Sequence, residues 1–244
     1  MNAIKGARER ARREVTAAIK DEARRHLAAE GAAKLSLRAV ARELGMASSA
    51  LYRYFPSREE LLTALIVDAY DALGEAAERA LATADRTDPA ARWLAVCRAV
   101  RHWALDRPHE YALIYGSPVP GYTAPAETIA PASRVGHALI SVARDAHAAG
   151  VLRVPAGWAA PPSGLDRDAA RLAAELAPEL PAAAVVALVA AWAQLFGLLN
   201  FELFGQFNRV VDARAELFAH AAAGLARQIG LSTPAGVDAI AAQG

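Results

Sequence analysis

The stretch that most limits how this chain can fold is residues 36–62, SLRAVARELGMASSALYRYFPSREELL. Leu37, Val40, Ala41 and Leu44 fall at i, i+3, i+4 and i+7, so a two-turn helix would carry them on one apolar face. Ser36 precedes that helix, where a hydroxyl can accept from an otherwise unpaired amide. Gly45 ends it and lets the backbone turn sharply. A third short helix is expected over Ser48 to Tyr54, with Leu51 and Phe55 one turn apart and pointing inward. Pro56 stops it, because proline disfavours helical geometry in the residue before it. Ser57-Arg58-Glu59-Glu60 then reads as a capping box, and Leu61, Leu65, Ala69 and Leu73 give the next helix one apolar face.

A short helix, a glycine turn and a second short helix make a helix-turn-helix. Such a unit lays its second helix in the DNA major groove, which is wide enough to admit one. The side chains suit that task. Ala47, Ser48, Ser49 and Ala50 are small, so the backbone can approach base edges. Tyr52, Arg53 and Tyr54 supply hydroxyl and guanidinium donors. Arg58 opens the following helix, where its charge and the nearby amides suit a phosphate. With Ser36, these residues form the expected DNA interface. The plainer readings are that Tyr52 only packs and that Ser48 and Ser49 only cap. Arg12, Arg13 and Lys20 read as a solvated face.

Charge points the same way. Residues 1–60 hold 13 Lys and Arg against 8 Asp and Glu, a net +5, while residues 61–244 hold 14 against 18, a net −4. A basic quarter on an acidic remainder is the electrostatic footprint of a nucleic-acid module attached to a separate body.

The remainder reads as helix. Over half the chain is hydrophobic, at 55%, and alanine dominates that fraction; alanine favours helix and strand-forming clusters are scarce. An all-α protein is expected. Further helices are predicted over about Ala7–Ala29, Ser57–Leu81, Pro89–Leu105, Pro108–Ile114, Ala126–Ala149, Asp166–Leu176, 181–207 and 212–229. Loops are expected at GSPVPGYTAPA and over Gly150–Gly164, and the tail after Ser232 is expected to fray. Cys97 is the single cysteine, which fits a reducing compartment. The first residues are polar and basic and lack the apolar stretch of a secretory signal. From Ala182 to Leu199 everything is apolar except Gln194 and Gly197. That run approaches the length of a membrane span, but its alanine content and the Asn200 and Glu202 that follow favour a buried subunit-interface helix.

Candidate ligand contacts are Trp103, Tyr111, Tyr115, His137, Trp192, Phe196 and Asn200, within a broader aromatic set that includes Trp93. Aromatic residues at helical spacing are more often core than pocket. No His-Glu-x-x-His pattern, P-loop, nucleophile elbow or dinucleotide fingerprint is present. No metal, cofactor or catalytic site is therefore expected, and a helical small-molecule enzyme is a remote alternative.

Over Ser36 to Leu65 the sequence resembles the TetR family of transcriptional regulators. WALDRPHEYALIYGSPVPGYTAP and WAQLFGLLNFELFG resemble a subgroup with a Trp…Pro…Tyr…Gly effector-domain signature. Where the family usually has lysine this chain has Arg58. Where it often has Ser or Thr there is Ala47, and Ser48 is expected to take over as cap. The usual Lys or Arg near Ser48 and Gly near Ser49 are absent. The resemblance implies a three-helix DNA-binding domain over 1–56 and a helical effector-binding and dimerisation domain over 57–244. It implies a cytoplasmic homodimer that meets its partner through helices 181–207 and 212–229 and binds a palindromic operator. A small hydrophobic effector would release the DNA. In this family the N-terminal arm often touches phosphate. Repressor and activator remain alternatives, and the operator, target genes and effector stay open.

Overall fold

The computed structural model describes residues 2–153 and 161–231. Among these residues ten α-helices form and no strand does. They are α1 (Asn2–Glu30), α2 (Leu37–Glu43), α3 (Ser48–Leu51), α4 (Arg58–Thr83), α5 (Pro89–Asp106), α6 (Pro108–Tyr115), α7 (Ile129–Ala148), α8 (Ser163–Leu176), α9 (Ala182–Leu203) and α10 (Arg214–Gln228). The chain divides into two compact units. The first comprises Met1–Asp71 and Arg107–Ala132, and the second Ala72–Asp106 and Ser133–Gly244.

The first unit is built on the stripes read from sequence. Ile19, Ala23 and Leu27 of α1 are buried with Leu37, Val40 and Ala41 of α2, Leu51, Phe55, and Leu61 and Leu65 of α4. Each fully buried leucine contributes about 1.5–3 kcal/mol. Val15 packs against this core from its edge. Gly31 closes α1 at a positive φ of 78°, its amide bonding the Leu27 carbonyl at 2.9 Å. The Ser36 hydroxyl caps α2 by accepting from the Ala39 amide. Ser57 accepts from the Glu60 amide at 3.1 Å, half of the expected capping box. Pro108 stands in the first turn of α6, where its missing N–H costs nothing. Polar groups tie α4 to the loop after α6 and to α6 itself: Thr63 and Tyr122 share a 2.9 Å hydrogen bond, and the Tyr70 hydroxyl donates to the Ile114 carbonyl.

In the second unit, Trp93 of α5 is wholly buried and donates from Nε1 to the Ala222 carbonyl of α10 at 3.1 Å. Arg101 forks onto Glu202 at 2.9 and 2.6 Å. That Glu202 side chain is only 7% exposed, so the pairing answers the cost of burying a carboxylate. Helix α9 packs on α8, α10 and α5. By length and composition α9 is apolar enough to cross a membrane, with mean hydropathy 2.1, and 44% of that window is buried. Alanine and leucine fill its inner face, with Ala184, Ala187, Leu188, Ala191, Leu195 and Leu199 all buried.

Several elements depart from the sequence expectation. The third helix ends at Leu51 rather than Tyr54. Its continuation tightens to i→i+3 bonds, Arg53 N to Ala50 O and Tyr54 N to Leu51 O, as short helix ends do when their last carbonyls lack partners. Ala47, not Ser48, occupies the cap of α3, with no side-chain bond. The helix expected from Ala126 opens as a 3₁₀ turn, Ala126–Thr128, before α7. The helix expected from Asp166 begins at Ser163. The expected 181–207 helix stops at Leu203, where Gly205 turns the chain at a φ of 84°. The last helix spans Arg214–Gln228. Residues 154–160 of the expected Gly150–Gly164 loop, and the tail from Ser232, lie outside the described residues.

Candidate nucleic-acid interface

The sequence around α3 sorts its side chains by chemistry. Leu51 is 1% exposed and Phe55 7%, while Tyr52 is 41% exposed. Leucine and phenylalanine, one turn apart, pin the segment to the core. Ser48, Ser49 and Arg53 stay in solvent on the same segment, and Ala50 and Tyr54 are half-buried. The outcome is a short rod with a fixed apolar side and a free polar side. Its four regular residues are set between Gly45, at a φ of 63°, and Pro56. Ser36 belongs to the cap of α2, and its oxygen is engaged with the Ala39 amide at 3.4 Å.

Arg58 differs from expectation. Its guanidinium donates from Nε to the Leu35 carbonyl at 3.0 Å and from Nη2 to the carbonyls of Ala32 and Ala33 at 2.8 and 3.2 Å. These carbonyls belong to the linker between α1 and α2. Arginine's planar fork lets one side chain gather all three. In this structure Arg58 fastens the linker in front of α2.

The basic residues of α1 separate into two groups. Lys20 and Arg24 are neutralised by Asp68 of α4 at 2.8 and 2.6 Å, and Arg24 also meets Glu110. Arg12 instead lies over the Tyr54 ring, its Cζ 5.3 Å from the centroid.

The expected ligand residues fall into both compact units. Tyr111 and Tyr115 belong to the first. Tyr111 is fully buried, its ring 5.2 Å from that of Tyr115, which in turn meets Tyr70 edge-on at 5.9 Å. Burial pushes the hydroxyls of all three above the ordinary tyrosine range. In the second unit, Trp103 and Phe196 are buried, His137 faces solvent and Asn200 is half-buried. The second unit holds a cavity of about 350 Å³ between α7, α8 and α9. Its walls include Gly136, Ile140, Leu172, Leu176, Leu188 and Trp192. Of the seven ligand candidates, Trp192 lines this cavity and the other six do not. The walls are aliphatic residues at ordinary core spacing, which is why sequence reading, drawn to aromatics, missed them. Among the described residues no group of three or more His, Cys, Asp or Glu could hold a metal ion.

A capped two-turn helix, a positive-φ glycine and a short rod with one polar side, joined to a second helical unit, define a helix-turn-helix transcriptional regulator. Residues 19–65 match the family model described as bacterial regulatory proteins, tetR family, and residues 93–225 match the tetracyclin repressor-like C-terminal domain. The chain belongs to the TetR family. It is 41% identical over 209 residues to the HTH-type transcriptional regulators Mb1846 of Mycobacterium bovis and Rv1816 of Mycobacterium tuberculosis, covering 83% of this chain and 86% of theirs. The crystal structure of SCO4313 is 35% identical, with a TM-score of 0.71 over 89% of this chain and 97% of that one.

Proposed function

We propose that this regulator is a homodimeric repressor that leaves a palindromic operator when a small hydrophobic molecule occupies its second unit. The carrying observation is the free polar side of the 48–54 segment, held in place by buried Leu51 and Phe55. Residues 1–56 are the DNA-binding domain on this reading and residues 57–244 bind effector and partner. Ala47, Ser48, Ser49, Ala50, Tyr52 and Arg53 meet the DNA in the cytoplasm. Two such segments, one per subunit, would enter successive major grooves of a two-fold site.

Dimerisation through α9 and α10 is supported by what α9 and the residue that follows it leave uncovered. Val189, Trp192, Phe201 and Phe204 are all more than 40% exposed. A run of large apolar side chains in water marks an association surface.

The 350 Å³ cavity lies within the size range of small-molecule sites. Its walls are almost entirely apolar, so a charged or heavily hydroxylated molecule would lose hydration without recovering hydrogen bonds. An uncharged, mostly hydrocarbon effector fits. By binding one dimer shape better than the other, it shifts the population away from the shape that matches half-site spacing.

Gly136 offers the direct test. A Cβ there meets nothing within 4 Å, so Gly136→Leu fills the cavity from its α7 wall. DNA binding should survive, while release by hydrophobic compounds that act on the wild type should be lost. Undiminished release from the Gly136→Leu variant would place the effector elsewhere.

A further inference from the structure

We infer that Arg12 of α1 is a positioning residue for DNA reading: it braces the turn that carries Tyr52 and Arg53 instead of meeting a phosphate itself. The inference rests on the DNA-reading role proposed for the 48–54 segment. Helix α3 has four regular residues; the Ala50 and Leu51 carbonyls at its end accept from the Arg53 and Tyr54 amides, and the Arg53 carbonyl lies in the turn beyond them. The Arg53 carbonyl accepts a long hydrogen bond, 3.5 Å, from Arg12 Nη2. The same guanidinium covers the Tyr54 ring, and Tyr54 packs against the core of its unit. Arg12 therefore holds two consecutive residues of the turn from outside, while the core holds Tyr54 from inside.

The neighbouring cations do not share this arrangement. Lys20 and Arg24 are turned to Asp68, and Arg25 to Glu22. Lysine could not replace Arg12 fully, because a point charge cannot both cover a ring and reach a carbonyl as a planar fork does.

The test uses full-length protein and a short duplex enriched from a randomised DNA library by the wild-type chain. Binding is followed by fluorescence anisotropy across a salt series for wild type, Arg12→Ala, Arg12→Lys, Tyr54→Leu and the Arg12→Ala/Tyr54→Leu double variant. A positioning role predicts that Arg12→Ala loses about tenfold in affinity, the scale of a cation–π contact and a hydrogen bond from a charged group together. The salt slope should stay as in the wild type, and Arg12→Lys should recover only part of the loss. Losses from Arg12→Ala and Tyr54→Leu should not add, because each removes the same brace. A slope reduced by about one unit, with additive losses, identifies a phosphate contact and overturns the inference. Unchanged affinity in Arg12→Ala overturns it as well. Failure of the wild type to enrich or bind any duplex takes down the DNA-reading role and this inference with it. Arg12→Ala should remain folded, its melting temperature lower by only a few degrees, as expected for loss of contacts worth about 1 kcal/mol at an exposed side chain.

Discussion

Gly74 of α4 lies directly under Arg134 of α7: a Cβ at position 74 would sit 2.6 Å from the Arg134 Cβ and 2.9 Å from its Cδ. Arg134 reaches past that point to fork onto Glu78, at 2.8 and 2.6 Å, and this contact holds the Glu78 carboxyl below the usual glutamate range. Gly74→Ala must push α7 away or displace the arginine. Overpacking of this kind costs about 1–3 kcal/mol. Gly136 also lies within a helix, but a Cβ there has open space. Gly136→Ala should therefore stabilise by about 0.5–1 kcal/mol, the ordinary gain of alanine over glycine in a helix. Urea unfolding at fixed protein concentration should show the two substitutions moving the midpoint in opposite directions.

Arg58 gathers the carbonyls of Ala32, Ala33 and Leu35. Removing it takes a charged donor from all three, of which Ala32 keeps the Leu35 amide, and loosens the entry to α2. Arg58→Ala should destabilise the first unit by about 2 kcal/mol, in the range of hydrogen bonds to a charged group. Arg58→Lys should restore only part, since an ammonium cannot span the three positions. Hydrogen exchange should quicken first at the α2 amides that follow this linker. Exchange unchanged in α2 would remove the fastening role.

Cys97 is fully buried, and burial pushes its thiol up to about 12. The thiolate is the reactive form. At pH 8 the native protein should resist a disulfide reagent, and one thiol per chain should react once urea unfolds it. Rapid labelling of native protein would mean that α5 opens locally.

Much of the fold could be read from local pattern because local pattern causes it. Ser36 announced the start of α2 because a cap acts over three residues, and the stripe of Ile19, Ala23 and Leu27 needed only helical spacing to find its face. The length of α3 was not readable, because its last carbonyls turn to i→i+3 bonds and the turn beyond them meets a guanidinium 41 residues away. The partners of Arg58 were not readable for the same reason: its acceptors lie 23 to 26 positions back along the chain. The cavity was hidden more deeply. Leu172, Leu176 and Leu188 have the spacing of any core leucine, and only the placement of α7, α8 and α9 leaves a space between them. Tyr111, chosen for its aromatic ring, is fully buried.

The central claim is that the polar side of the 48–54 segment binds DNA, and Tyr52 and Arg53 test it most directly. Their side chains are exposed, so Tyr52→Ala and Arg53→Ala should leave the melting temperature unchanged. Against a duplex selected by the wild type, each substitution should weaken binding by about tenfold or more, a loss of roughly 1–3 kcal/mol per good contact. The wild-type affinity should fall steeply as salt rises, because phosphate-bound counterions are released on binding. Affinities of both variants equal to wild type, with binding flat across the salt series, would contradict the account.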